Sequence, residues 1–253
     1  MESVGRGRME LEEELKGCGR SLMLSNKTMS AYAAKATPRQ MEFLLGMMHF
    51  ELDYREDNKR NRLVKKAAFP SPKSFADYEW DNVKIPYQLS REEILTCDFI
   101  RYSKNLVLYG PVGTGKTHLV IALGTIACNM GLKVRFFTTS DLVLRLSAAK
   151  AEGVLDKLLR DILRSELIIL DEFGYVPIDR DGARLLFQIV SDSYETRSLV
   201  ITTNVEFSRW GSVLTDDQMA AAMIDRIAHH GHLIVFEGES YRMRHALMRQ
   251  QGQ

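Results

Sequence analysis

The hydrophobic residues of this chain fall into short apolar runs that are separated by segments with helical spacing. Each run is four or five residues long and lacks the strict alternation of a half-exposed strand, which indicates a strand buried on both faces. The runs occupy residues 106–109, 133–137, 167–170, 199–202 and 233–236. Strands that alternate with helices in this way predict an α/β fold, in which a parallel sheet is covered by helices on both faces.

Capping residues predict where several of the helices begin. Ser90 followed by Glu93 forms a capping-box pattern for a helix that runs to about residue 101. We expect Ser140 or Asp141 to cap the helix after the second run, and Asp181 to cap the helix after the third. Two further segments with helical spacing occupy residues 117–130 and 216–229.

The first 70 residues are predicted to form a small helical domain of their own. One face of a helix carries Met41, Leu44, Leu45, Met48, Leu52 and Arg55. A basic run continues this helix until Phe69-Pro70-Ser71-Pro72 breaks it. We therefore place a domain boundary at residue 70 and a larger domain over residues 71–253. The first 30 residues show only a weak pattern.

Composition excludes several classes of protein. None of the apolar runs approaches the length of about 18 residues that a transmembrane helix needs, and the charged N-terminus lacks the apolar core of a signal peptide. Cys18, Cys97 and Cys128 are scattered and form no C-x-x-C pair, which argues against a disulfide framework and against a zinc site. We therefore expect a cytoplasmic protein with reduced thiols and no membrane contact.

A complete phosphate-binding loop of the G-x-x-x-x-G-K-[ST] type lies between the first run and the next helix. Its residues, with the one that follows, are Gly110, Pro111, Val112, Gly113, Thr114, Gly115, Lys116, Thr117 and His118. The glycines let the backbone direct its N–H groups at phosphate oxygens, and the helix N-terminus adds its dipole. Lys116 is expected to reach the β- and γ-phosphates, and the Thr117 hydroxyl to bind Mg²⁺. The motif predicts a nucleoside triphosphate as ligand.

Polar residues follow two later strands. Asp171 and Glu172 end the third run, and ligands of open α/β sheets bind beyond the carboxyl ends of the strands. We expect Asp171 to reach the Mg²⁺ shell and Glu172 to polarise the attacking water as a general base. Asn204 follows the fourth run, where it could hold that water or sense the γ-phosphate. An asparagine at this position is also typical of a turn.

Two arginines are candidates for stabilising charge on the γ-phosphate during its transfer. Arg226 lies in the predicted helix 216–229, and Arg242 follows the last run. Spacing alone favours a surface ion pair for each of them. The chain contains no Asn/Thr-Lys-x-Asp motif of the kind that reads guanine, which favours ATP as the nucleotide.

The net charge of +1 conceals a basic segment. Residues 55–66 include two acidic residues and six basic ones. The basic residues are Arg55, Lys59, Arg60, Arg62, Lys65 and Lys66. A local basic run indicates a polyanionic partner. A solvated helix face gives the same pattern, and charge alone slightly favours that interpretation.

The motifs occur in the order seen in AAA+ ATPases. Their residues resemble those of the IstB-type transposition helper ATPases, which are relatives of the DnaC helicase loaders. The resemblance covers about residues 67–245. It rests on the segments 110–118, 136–142, 170–175, 201–204 and 238–242. It implies a P-loop AAA+ sheet with ATP and Mg²⁺ as cofactors. In that family Lys116 and Thr117 would be the Walker A pair, Asp171 and Glu172 the Walker B pair, and Asn204 the first sensor.

The resemblance also implies a homo-oligomer with ATP sites at subunit interfaces, since Arg226 would be a finger that reaches a neighbour's ATP. Arg242 would be the second sensor, although only about ten residues follow it, so we expect a reduced C-terminal lid. Such proteins assemble on duplex DNA and assist a transposase, and the N-terminal domain would then serve DNA binding or oligomerisation through its basic run. Further DNA candidates, which are also typical of a solvated helix face, are Arg145, Lys150, Lys157 and Arg160.

Two other functions stay open. A DnaC-like loader would bind single-stranded DNA and a replicative helicase. Aromatic stacking platforms favour single strands, and the basic run contains none. A monomeric P-loop kinase would phosphorylate a small molecule, but Glu172 beside Asp171 favours water as the acceptor.

Overall fold

The computed structural model of the protein describes residues 7–76 and 78–244. The chain divides into two compact units, residues 1–61 and 62–253. The division falls within α3 (Pro38–Ala67), a helix that ends three residues before the boundary predicted at residue 70. The functional roles assigned to the two domains stay predictions.

The N-terminal unit is built from three helices. They are α1 (Arg8–Ser21), α2 (Asn26–Lys35) and the larger part of α3. A Ser25 hydroxyl that accepts from the Thr28 N–H at 3.1 Å caps α2. The core of this unit consists of Leu11, Leu15, Met29, Met41, Leu45 and Met48. Within the weakly patterned first 30 residues, the part that the structure describes, residues 7–30, is therefore mostly helical.

A six-stranded sheet with the order β1-β6-β2-β5-β4-β3 forms the centre of the second unit. Its strands are β1 (Val83–Lys84), β2 (Asn105–Tyr109), β3 (Val134–Thr138), β4 (Leu167–Phe173), β5 (Ser198–Thr203) and β6 (Gly231–Phe236). The five predicted strands, β2 to β6, are all parallel to one another. The sequence pattern missed β1, a two-residue edge strand that is antiparallel to β6.

Helices cover both faces of this sheet, as predicted. Alternate residues of a strand enter two separate cores: Val107 enters one, and Leu106 and Leu108 enter the other. The helices are α4 (Arg91–Leu95), α5 (Asp98–Arg101), α6 (Lys116–Asn129), α7 (Thr139–Ala151), α8 (Leu155–Ile162), α9 (Arg180–Ser193), α10 (Trp210–Leu214), α11 (Asp217–His229) and α12 (Tyr241–Arg244). No helix in the described residues is long and apolar enough to cross a membrane.

The predicted helix after Ser90 is two helices. The capping box is present, because the Ser90 hydroxyl accepts from the Glu93 N–H and the Glu93 carboxylate accepts from the Ser90 N–H. Cys97 then adopts a left-handed conformation with φ 58°, which ends α4 and starts α5. Cys18, Cys97 and Cys128 are free thiols in the structure.

Two predicted caps are wrong by two or three residues. Thr138, and neither Ser140 nor Asp141, caps α7 by accepting from the Asp141 N–H. Asp179, and not Asp181, caps α9 by accepting from the Gly182 N–H. In both cases the first candidate along the chain is the cap, because its backbone is extended and its side chain reaches the N–H three residues later.

Candidate nucleotide-binding and hydrolysis site

The phosphate-binding loop joins β2 to α6 and is folded around its own lysine. Lys116 is only 5% exposed, and its Nζ donates to the carbonyl oxygens of Gly110 and Pro111, each at 2.6 Å. All three glycines of the loop have positive φ. The Gly110 N–H donates to the Thr203 carbonyl at 3.2 Å, which ties the loop to the neighbouring strand β5.

Burial makes the charge of Lys116 costly in the free protein. It lowers the pKa of this lysine from its ordinary 10.5 to about 8. The nearby Asp171 carboxylate opposes this shift, and the Arg242 guanidinium adds to it. A phosphate group at the loop would supply the negative partner that the ammonium lacks.

Asp171 lies next to Thr117, as the predicted metal pair requires. The Thr117 hydroxyl is 3.0 and 3.1 Å from the two carboxylate oxygens, and the Thr202 hydroxyl also donates to this carboxylate. Asp171 is 2% exposed. Burial raises its pKa, while the two hydroxyls oppose that shift. A hydroxyl beside a carboxylate is a ligand set that fits Mg²⁺, which prefers oxygen.

Glu172 is exposed at the end of β4 and adopts a left-handed conformation, φ 60°. This conformation is uncommon for residues other than glycine. The Glu172 N–H donates to the Thr202 hydroxyl at 3.0 Å. Thr202 therefore holds both members of the acidic pair, turning Asp171 inward and leaving the Glu172 side chain in solvent. Sequence reasoning missed Thr202, although its place in the Thr-Thr-Asn segment was a usable signal.

Asn204 follows β5, the strand that lies between the loop strand β2 and the acidic strand β4. Its side chain is exposed. The order of the strands thus places this amide between the two halves of the predicted site, at the carboxyl ends of the strands where ligands bind.

The segment after β6 packs directly on the phosphate-binding loop. The Tyr241 N–H donates to the Gly113 carbonyl at 2.9 Å. Gly113 has φ 82°, and a Cβ atom there would overlap the Ser240 hydroxyl, so only glycine fits. Arg242 follows Tyr241 and is exposed on α12. Its charge adds to the burial that lowers the pKa of Lys116, and it opposes the burial that raises the pKa of Tyr175. The segment that carries Arg242 thus contacts the loop through its backbone at Tyr241.

The segment before β1 also packs on the loop. The His118 Nε2 lies 2.7 Å from the Ser74 carbonyl oxygen. The Tyr78 hydroxyl donates to the Gly115 carbonyl at 3.4 Å, and its ring meets the His118 ring edge-on, with 5.2 Å between centroids. Burial raises the pKa of Tyr78 well above its usual range. The sequence pattern assigned no role to this segment.

Arg226 lies on α11, and its contacts are with residues outside the phosphate-binding loop. Its guanidinium donates to the Ala222 carbonyl at 2.9 Å and packs over the Phe187 ring at 5.0 Å. It is partly exposed on α11. These contacts hold it against α9 and α11 and leave part of it open to solvent.

Four of the six basic residues at the end of α3 share one helix face by their spacing. This basic face consists of Arg55, Lys59, Arg62 and Lys66, and all four are exposed. Arg55 pairs with Glu51 at 2.6 Å, and Lys66 pairs with Asp161 at 3.3 Å. The other two of the six basic residues, Arg60 and Lys65, lie off this face.

The second basic set is also exposed. Arg145 and Lys150 lie on α7, and Lys157 and Arg160 lie on α8. Arg145 pairs with Asp141 at 2.8 Å. Their exposure fits both a DNA contact and a solvated face.

A different face of α3 carries large apolar side chains in solvent. Phe43, Met47, Phe50 and Tyr54 recur at helical spacing and are 56–78% exposed. They lie opposite Met41, Leu45 and Met48, the side chains that α3 buries. This exposed stripe was missed from the sequence because the buried face accounted for the periodicity.

Comparison with known proteins identifies the family of the chain. The family described as IstB-like ATP binding protein matches residues 17–249. A relative from Bacillus thuringiensis subsp. berliner is named as an ATP-binding protein of insertion sequence IS232. It is 34% identical to this chain over 207 residues, which cover 81% of this chain and 82% of the relative. A second relative, named as an ATP-binding protein of insertion sequence IS5376 from Geobacillus stearothermophilus, is 33% identical over 225 residues, which cover 89% of this chain and 90% of the relative.

Among solved structures, the DnaC helicase loader is similar with a TM-score of 0.53 and 24% identity, over 65% of this chain and 96% of that one. The likeness confirms the AAA+ fold that the sequence predicts. The family match and the two relatives span most of the chain. The chain therefore belongs to the family of IstB-like ATP-binding proteins.

Proposed function

We propose that this protein binds and hydrolyses Mg²⁺-ATP, and that ATP controls its assembly on duplex DNA, where it assists the transposase of an insertion sequence. The observation that carries the proposal is the convergence of Thr117, Asp171 and Thr202 beside the loop that encloses Lys116. The names of the relatives support ATP binding and an insertion-sequence setting. Duplex DNA, the transposase and the oligomer are our extension.

Each residue of the site has a task in this reaction. The loop N–H groups and Lys116 hold the phosphates, while Thr117 and Asp171 hold the Mg²⁺ that neutralises their charge. Glu172 accepts a proton from the attacking water, and Asn204 orients that water. Arg242 binds the nucleotide within the same subunit, and Arg226 reaches the γ-phosphate of a neighbour.

The test of hydrolysis is Glu172→Gln. The amide cannot accept a proton, so turnover should fall by roughly 10²–10⁴, while ATP affinity measured with a fluorescent analogue stays the same. Glu92→Gln, on the exposed surface of α4, is the matched control and should change neither quantity. Normal turnover in Glu172→Gln would show that Glu172 does not activate the water.

One observation favours a second candidate, a loader that binds single-stranded DNA. Phe43, Phe50 and Tyr54 are exposed on α3, the helix that also carries the basic face, and bases of single strands stack on such rings. Competition between duplex and single-stranded DNA of equal length separates the two functions. Preference for duplex, unchanged by Phe50→Ala, supports transposase assistance. Preference for single strands, lost in Phe50→Ala, supports the loader.

A further inference from the structure

Three side chains with metal-binding atoms converge at the end of α11, on a surface that the nucleotide site does not use. Glu195, His229 and His230 each place one ligand atom within 4.8 Å of the other two. The His230 Nε2 lies 3.0 Å from Glu195 Oε1, and the two imidazole centroids are 4.2 Å apart. All three residues are at least partly exposed, so an ion can enter from solvent.

The backbone brings these neighbours together at an element boundary. Consecutive residues inside a helix point about 100° apart, but α11 ends at His229 and the chain changes direction at His230 (φ −119°). Glu195 reaches the same place from the turn between α9 and β5, in a left-handed conformation with φ 56°. The Tyr194 hydroxyl lies 2.7 Å from His229 Nδ1 and also interacts with the Glu195 carboxylate, so it orients both.

We propose that Glu195, His229 and His230 bind a divalent transition-metal ion of the Zn²⁺ type. Two imidazoles and one carboxylate are a recognised zinc donor set, with water in the fourth position. Metal–ligand bonds of about 2.0–2.1 Å place tetrahedral ligands roughly 3.4 Å apart, so modest side-chain rotations close the observed span. Imidazole nitrogens disfavour Mg²⁺, which requires oxygen. The cysteine spacing that argued against zinc does not bear on a site of this composition.

The bound ion would join the α9–β5 turn to the last turn of the helix that carries Arg226. Arg226 precedes His229 by three residues, nearly one helical turn. An ion at this position would fix the helix end next to the proposed finger. This consequence for hydrolysis rests on the proposed function, whereas metal binding itself does not.

The test is a Zn²⁺ titration of the untagged full chain in excess Mg²⁺ and without nucleotide. A Cys18→Ser background removes the one cysteine that is not buried. We expect one ion per chain, and the absorption of Co²⁺ in a tetrahedral nitrogen and oxygen site when Co²⁺ replaces Zn²⁺. His230→Gln and Glu195→Gln each remove a direct ligand and should each weaken Zn²⁺ binding by more than the roughly 10–100-fold that the loss of an outer-shell partner costs.

A matched control is available in the N-terminal unit. His49 pairs with Glu14 at 3.4 Å but lies outside the three-ligand cluster, so His49→Gln should leave Zn²⁺ affinity unchanged. Zn²⁺ binding that is absent, or that persists in both His230→Gln and Glu195→Gln, would overturn the proposal. Because ATP binding and turnover are measured separately, failure of the zinc site would leave the proposed ATPase intact.

Discussion

Replacing Lys116 by methionine should separate stability from function, because this residue carries a buried charge whose partner is the ligand. Its pKa is lowered from 10.5 to about 8, which corresponds to a cost of about 3 kcal/mol for keeping the ammonium buried. Methionine removes that cost. It also removes the two hydrogen bonds to Gly110 and Pro111, which contribute about 1 kcal/mol each. We therefore expect Lys116→Met to raise the free energy of unfolding by about 1 kcal/mol at pH 7.

The pH dependence gives the same prediction an independent check. A lysine whose folded pKa lies below its unfolded pKa destabilises the protein fully below the folded value. In the wild type, the contribution of this lysine to stability should therefore rise as the pH increases from 8 to 10.5. That rise should be missing in Lys116→Met. Urea unfolding at pH 7 and pH 9.5 measures both effects, and the exposed Lys150→Met serves as the control.

Function should change in the opposite direction. The loop loses its only cation, so ATP affinity should fall by roughly 3 kcal/mol, on the order of 100-fold. ATP should also bind the wild type about tenfold less tightly at pH 9 than at pH 7, since the free lysine is then mostly neutral. Unchanged ATP affinity in Lys116→Met, or an unfolding curve with the wild-type pH slope, would refute this account of the loop.

Three further predictions address the finger, the DNA contact and the core. Neither Arg226→Ala nor Glu172→Gln should turn over ATP alone. A mixture of the two variants should regain ATP turnover, because each supplies across an interface the group that the other lacks. A mixture that stays inactive would contradict a finger that acts in trans. Log affinity for duplex DNA falls linearly with log salt concentration, and changing the four residues of the basic face to serine should reduce the steepness of that fall by about 3 to 4. Changing Arg60 and Lys65, which lie off this face, should have at most half that effect. An unchanged slope would place the contact elsewhere. Gly124→Ala should lower the free energy of unfolding by about 1 kcal/mol, because a Cβ there lies 2.7 Å from the Phe69 ring and overpacking outweighs helix propensity. A Cβ atom at Gly46 on α3 meets open space, so Gly46→Ala should raise the free energy of unfolding by about 0.5–1 kcal/mol. Urea unfolding measures both variants, and changes of the opposite sign would contradict this packing argument.

Local signals predicted the parts of the fold that depend on local chemistry. The five core strands were visible because they are buried on both faces and therefore continuously apolar. The Ser90 capping box and the loop after β2 were visible because a few neighbouring residues suffice to form them. The edge strand β1 was not, since two residues carry no periodicity.

The missed parts of the site depend on contacts between residues far apart in the chain. Thr202 bridges Asp171 and Glu172 from a strand 30 residues away. The contact of Tyr241 with Gly113 spans more than 120 residues. No local pattern encodes such pairs, because they exist only once the sheet sets the order of its strands. The helices α1 and α2 were missed for a different reason, since they bury few large side chains of their own.

The central claim is that ATP controls assembly of this protein on duplex DNA. Sedimentation velocity of the full chain tests it most directly, with and without a non-hydrolysable ATP analogue and with and without a duplex. We predict the largest species when analogue and duplex are both present, and its loss in Lys116→Met. A chain that sediments as a monomer under all four conditions would contradict the claim.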